Sequence, residues 1–247
     1  EGVEWFDRVL ALEGGSSKAR ASALLQAGFI STMVRLDDLE GCRAQISEAR
    51  AQVVALRDAQ GVKTAENHDA ILLWWLRELG DSRRELSVIQ ADHGSNGFEW
   101  GVAFCGWFLG SAAWFKGDMT QKGEHYSRSL DIYRQVGDYA FIGWTLLPLA
   151  NIALKFDELD KATGLYEQSL RAMGEVGDRH GVGAVLLGLG MVAHVRGEEE
   201  KAQALFEKAQ TNLREGGGGQ GLAWPMSNVL VDTHTRDLLV EVMDRYQ

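Results

Sequence analysis

Between residues 143 and 155 the apolar residues Leu146, Leu149, Ala150 and Ala153 recur at i, i+3, i+4 and i+7, which places them on one face of a helix. After a break at Phe156 to Glu158 the pattern resumes with Leu159, Ala162, Tyr166, Ser169 and Leu170. Two amphipathic helices joined by so short a connection must run antiparallel. The pair closes on Val176-Gly177-Asp178. Gly suits the left-handed residue that ends a helix, and Asp suits the cap that starts the next one. A lone pair of this kind leaves apolar surface exposed, so stacked neighbours must cover it.

The neighbours are visible as a repeat. Tyr126-Ser127-Arg128-Ser129-Leu130 with Val136-Gly137-Asp138 returns forty residues later as Tyr166-Glu167-Gln168-Ser169-Leu170 with Val176-Gly177-Asp178, and a period of that length signals a repeat array. Leu109, Leu149, Leu189 and Val229 share a column, as do Tyr126, Tyr166, Phe206 and Tyr246. A shift of three periods sets Phe6 to Leu10 under Tyr126 to Leu130. One all-α solenoid of antiparallel helix pairs is therefore expected over residues 1–247. Residues 1–18 form the second helix of a truncated unit, and 19–62 form repeat 1. Repeat 2 spans 63–99, repeat 3 spans 100–138, repeat 4 spans 139–178, repeat 5 spans 179–218, and 219–247 begin a sixth. Repeat 2 is irregular: it matches its neighbour at a shift of 37, and its second helix is expected near Ser82 to Ala91, before a loop from Asp92 to Gly97.

Composition agrees with helices throughout, since only two prolines occur and Ala, Leu, Glu, Gln, Arg and Lys are plentiful. The formal charge of −10 would repel a polyanion, so direct nucleic-acid binding by this chain is not expected. Cys42 and Cys105 form no CxxC pair, which fits reduced thiols and a cytoplasmic location. No apolar run has the length of a membrane span. The first residue is Glu1 rather than Met, and the chain is taken as a piece of a longer protein.

The columns resemble a known family. Leu146, Leu149, Ala150, Ala153, Asp157, Leu159, Ala162, Tyr166, Ser169 and Leu170 stand where tetratricopeptide repeats place their signature residues, and Gly197, Ala202, Phe206 and Ala209 follow suit. The closing Pro is absent, and the period is forty residues instead of about 34. This longer variant is similar to the C-terminal repeat region of bacterial LuxR-type and maltose-operon-activator-like NTPase transcription regulators. The resemblance implies an α-α superhelix whose first helices line a concave groove. It also implies a role in binding a protein, a peptide or a small-molecule inducer within a larger signalling or transcription regulator.

Carried onto this sequence, the groove positions of interest are Trp74, Arg77, Phe104, Trp107, Ser111, Trp114, Trp144, Asn151, Lys155, His194 and Trp224. Five of the eight tryptophans fall among them. Trp concentrates binding energy where it is exposed, yet bulky residues at these positions could equally pack helix against helix and fill the groove. A protein-interaction scaffold of the co-chaperone or assembly-factor type, with no small ligand, is the alternative; Asn67, Asn151 and Lys155 are the polar groups available to clamp a peptide. Truncated ends make end-to-end self-association an expectation as well.

Catalysis is not expected. Gly14-Gly15-Ser16-Ser17-Lys18 lacks the GxxxxGK[ST] spacing, and Gly216 to Gly219 carries no Lys. The six histidines show no HExxH or HxH pattern, so neither a metal nor a cofactor is expected. Cys105 has no readable base partner.

Overall fold

The computed structural model describes residues 17–34, 39–75, 79–95, 97–115 and 119–216. Within them lie α1 (Ser17–Val34), α2 (Leu39–Ala55), α3 (Ala59–Trp75), α4 (Leu79–Ser95), α5 (Glu99–Phe115), α6 (Met119–Val136), α7 (Tyr139–Lys155), α8 (Leu159–Glu175), α9 (Arg179–Val195) and α10 (Glu199–Glu215). No strand occurs among the described residues. The fold class expected from the sequence, an all-α solenoid of antiparallel helix pairs, is the one observed. The expected helix at residues 1–18, apart from Ser17 and Lys18, and the partial sixth unit from residue 219 lie outside the described residues.

After α2 every helix starts 20 residues after the one before. The turns show what holds this step. Arg57, Gly97, Gly137 and Gly177, forty residues apart, have φ of 54°, 67°, 73° and 68°, and Asp157 and Gly197 have 59° and 75°. After each of these left-handed residues the next amide reaches back five residues: Asp138 N to Tyr133 O at 3.0 Å, Asp178 N to Met173 O at 3.0 Å, Glu158 N to Ala153 O at 2.9 Å, and Glu198 N to Ala193 O at 2.9 Å. This is the six-residue closure that satisfies the last carbonyls of a helix. The aspartate that follows then starts the next helix. Asp138 Oδ1 accepts from Phe141 N at 3.0 Å, Asp178 Oδ1 from Gly181 N at 2.9 Å, and Asp58 Oδ1 from Gly61 N at 3.3 Å. Val-Gly-Asp thus stops one helix and caps the next, as its residue types imply.

The region expected to be irregular keeps the same step. Helices α3, α4 and α5 begin at Ala59, Leu79 and Glu99, and α4 continues past Ala91 to Ser95. Its last turn holds because Ser95 Oγ donates to Ala91 O at 3.0 Å and because His93 is buried edge-on to Phe98, with ring centroids 4.9 Å apart. The 37-residue shift had aligned apolar side chains. The turn residue Gly97 sits in the forty-residue column instead.

The chain divides into two compact units, residues 1–112 and 113–247. In the first, Ala21, Leu24, Leu25, Ala49, Val53 and Ala65 form one core, and Cys42, Ile46 and Leu72 a smaller one. In the second, α7 packs on α8, α9 on α10, and α9 also touches α8 and α7. The core there runs through Leu147, Ala150, Tyr166, Met173, Ala184 and Met191. Helix α9 fits between α8 and α10 because it presents glycines to both. Gly181 and Gly188 meet Met173 and Tyr166 of α8, while Gly183 and Gly190 meet Leu213 and Phe206 of α10. Pro148 lies inside α7 without ending it and is buried there.

Candidate functional site

Several of the expected groove positions among the described residues are buried. On α5, Phe104, Trp107 and Ser111 are only 2%, 5% and 5% exposed. Trp100 stacks on Phe104 at 4.7 Å, and Phe108 sits edge-on to both Phe104 and Trp107. These aromatics are used up in packing. The side chains of Trp74 and Trp114, and the whole of Arg77 and Trp224, lie outside what is described.

In the second unit Asn151 is buried, and its Oδ1 accepts the phenol proton of Tyr166 at 2.5 Å. Full burial pushes the Tyr166 hydroxyl upward from its ordinary pKa, so the phenol remains a donor. Trp144 is half-buried. Its Nε1 donates to Asp178 Oδ2 at 2.8 Å, and its ring lies 6.1 Å from that of His180. The Asp178 carboxylate therefore caps α9 with one oxygen and anchors the α7 indole with the other. Burial holds His180 below the ordinary imidazole pKa, although Asp178 opposes the shift. Lys155 and His194 are half-buried, and His194 Nδ1 lies 3.5 Å from Glu199 Oε2. The His194 side chain is only 8% exposed, so on the first-helix face of this unit the accessible positions are Trp144, Lys155, Leu187 and Val195.

The open space lies elsewhere. In the first unit a groove of about 350 Å³ is lined by Arg50, Glu66, Asp69, Arg84, Val88 and Ile89. Its Arg50 faces Glu66 at 3.8 Å and Asp69 at 3.4 Å. In the second unit a groove of about 540 Å³ has α7 as its floor, through Ile142 and Leu146. Its walls are Arg134 of α6 and Gln168, Arg171 and Glu175 of α8, with Tyr139 at the edge. Sequence reasoning missed both, because it followed the first helices and these walls belong largely to the second. The available signal was the i, i+3, i+7 row at Gln168, Arg171 and Glu175.

Chemistry beyond binding finds little support. Burial pushes the Cys105 thiol up to about 12 and the His68 imidazole down to about 4, leaving one a poor nucleophile and the other neutral and enclosed. Among the described residues no group of three or more His, Cys, Asp or Glu is placed to hold a metal ion. No described helix is long and apolar enough to cross a membrane.

Comparison with known proteins agrees with this architecture. The tetratricopeptide repeat family model matches residues 142–215. No curated protein matches the chain. Among solved structures the chain is similar to BtubC (BKLC) from P. vanneervenii, with 15% identity over 87% of this chain and 88% of that one, at a TM-score of 0.64. It is also similar to the nearly identical TPR-like repeats of a Podosopora anserina putative kinesin light chain. There the identity is 12% over 83% of this chain and 98% of that one, at a TM-score of 0.55. The fold is therefore that of the tetratricopeptide-like helical repeats, a class whose members generally serve as protein-interaction modules.

Proposed function

We propose that this chain is a non-catalytic module that binds a segment of another protein on the first-helix face of its second unit, around Trp144, Lys155 and Leu187. One observation favours a protein partner over a small ligand: the aromatics of α5 that could have sandwiched a flat molecule are buried against one another. A protein segment needs only an extended face with a few anchors. The repeat architecture supports the same reading, because stacked helix pairs present such a face without an enclosed cavity.

The resemblance to bacterial regulators supports a wider form of the proposal. In it the module lies in the cytoplasm as one part of a larger signalling or transcription protein and passes its bound state to an NTPase or DNA-binding part. An upstream Walker motif and a downstream helix-turn-helix in the flanking sequence would support that context; a flanking catalytic or structural domain of another class would remove it.

The binding claim is tested by panning a peptide-display library on the chain and titrating the chain with sugars and nucleotides under tryptophan fluorescence. The expected result is a family of peptides that bind at micromolar concentration and lose binding in Lys155→Glu and Leu187→Arg variants, with no saturable response to the small molecules. A saturable response to a sugar or nucleotide, with no peptide enriched, would replace the protein partner with a small ligand.

A further inference from the structure

The groove on the second-helix side of the second unit is a surface of its own. Gln168, Arg171 and Glu175 occupy one face of α8, opposite Arg134 of α6, over the apolar floor of Ile142 and Leu146. Arg134 Nη2 donates to Gln168 Oε1 at 3.0 Å. That bond stretches the guanidinium across the groove, but its acceptor is neutral and leaves the charge uncompensated. Arg171 is exposed and makes no ion pair among the described residues. Beside them Tyr139 is 54% exposed, with Val136 and Val176 both 47% exposed along the same row of turns.

Two other places in the chain are arranged differently. Forty residues on, Arg179 takes the position of Tyr139 and Glu215 that of Glu175, and Arg179 Nη1 pairs with Glu215 Oε2. In the groove of the first unit, Arg50 lies against two carboxylates. In both of those places arginine meets carboxylate. At Arg134 and Arg171 no ion pair forms, although Glu175 lines the same groove, and position 139, which is Ala at 59, Glu at 99 and Arg at 179, carries Tyr. The lining therefore sets two arginines against one carboxylate, beside an exposed aromatic, on a chain of net charge −10.

We infer that this groove docks an extended acidic peptide segment, whose carboxylates meet Arg134 and Arg171 and whose apolar side chains lie on Tyr139 and Ile142. Arginine forks suit carboxylates because two parallel N–H donors match two oxygens. Two arginines are too few to hold a nucleic-acid backbone against the chain's overall charge. A volume of about 540 Å³ accommodates a few side chains while the peptide backbone remains at the surface. The surface is separate from the first-helix face proposed above, so either can stand without the other.

The test is fluorescence anisotropy with the full chain and a labelled peptide alternating Glu with Leu and Phe. Its Lys-for-Glu counterpart and phosphatidylserine vesicles serve as competitors. Binding should weaken as salt rises, fall at least tenfold in Arg134→Glu/Arg171→Glu, and recover most of its strength in Arg134→Lys/Arg171→Lys. It should be unchanged in Lys155→Glu, and circular dichroism should confirm that each variant is folded. Equal binding by the charge-reversed variant, equal binding of the Lys peptide, loss of binding in Lys155→Glu, or capture by vesicles in place of the peptide would overturn the inference. So would the absence of any binding at millimolar peptide.

Discussion

Glycines of α8 and α9 allow the packing argument to be tested with two nominally identical substitutions that should have opposite effects. A methyl group added at Gly188 would stand 2.4 Å from Cε1 and from Cζ of Tyr166 and 2.8 Å from its Oη. Carbon atoms pack without strain at about 3.5–4.0 Å. Tyr166 has nowhere to go, since it is fully buried and its hydroxyl is committed to Asn151 Oδ1 at 2.5 Å. Relief requires either α9 to move away from α8 or the ring to swing and break that bond. Overpacking costs about 1–3 kcal/mol, and an orphaned buried acceptor about 1–3 kcal/mol more. The better helix propensity of Ala returns about 1 kcal/mol. Gly188→Ala should therefore lose roughly 3 kcal/mol. Gly164→Ala on α8 is the counterpart, because nothing lies within 4 Å of a Cβ placed there. It should gain about 0.5–1 kcal/mol. Urea titration followed by circular dichroism reads both as shifts of midpoint at constant slope. Stacked repeats can unfold in segments, so amide hydrogen exchange in α8 and α9 should localise the loss. If Gly188→Ala is as stable as the parent, or gains as Gly164→Ala does, the close approach of Tyr166 does not constrain this helix pair.

Arg57 holds a left-handed backbone at φ 54° in the column otherwise filled by Gly97, Gly137 and Gly177; Arg57→Gly should raise stability by about 0.5–1 kcal/mol, while Gly137→Ala should lower it by a similar amount, both read by thermal melting. Trp144→Phe should cost about 1 kcal/mol by removing the donor to Asp178, and Asp178→Ala about 2–3 kcal/mol by removing the cap as well; a double-mutant cycle should return a positive coupling, and additive losses would deny that the shared carboxylate links α7 to α9. His68 is buried, with its folded pKa lowered to about 4 from 6.5, so the unfolded chain takes up the proton first as the pH falls. Its contribution is intact above pH 6.5 and is lost as the pH falls toward 4, by at most about 3 kcal/mol. Between pH 7 and 4.5 the urea midpoint of the parent should therefore drop further than that of His68→Gln, and equal drops would refute the assignment.

The helices were legible because their signals are local. Apolar spacing gave the faces, and Val176-Gly177-Asp178 gave the stop and the cap, both of which depend on residues within one turn of each other. Depth of burial was not legible. Sequence position places Phe104, Trp107 and Asn151 on the first helices, but in a stacked array a first helix is covered on more than one side, and only the neighbours' bulk decides what stays open. Position 151 illustrates this: Asn is a reasonable peptide clamp by residue type, yet Tyr166, fifteen residues on, supplies the donor its oxygen accepts. The second repeat was misjudged for a related reason. Leu72 and its neighbours matched at a shift of 37 because apolar residues resemble one another, whereas Gly97 at φ 67° fixed the true register.

A repeat also contains its own comparison, and departures from a column can be sorted by whether packing explains them. Position 98 carries Phe where Asp58, Asp138 and Asp178 cap the next helix. That departure has a structural reason: Phe98 lies edge-on to His93 and crowds the space above Gly101, so it exchanges a cap for core contacts. Position 144 carries Trp where 104 is Phe and 184 is Ala, and the indole answers with its bond to Asp178. Position 139 is different. The column reads Ala59, Glu99, Tyr139 and Arg179; Tyr139 makes no pair like that of Arg179 with Glu215 and leaves 54% of its surface in solvent. An aromatic ring with over half its surface in solvent contributes little packing to the fold. The ring gains most when something covers it, and the two arginines beside it outnumber the one carboxylate of the lining, Glu175, which favours an acidic cover.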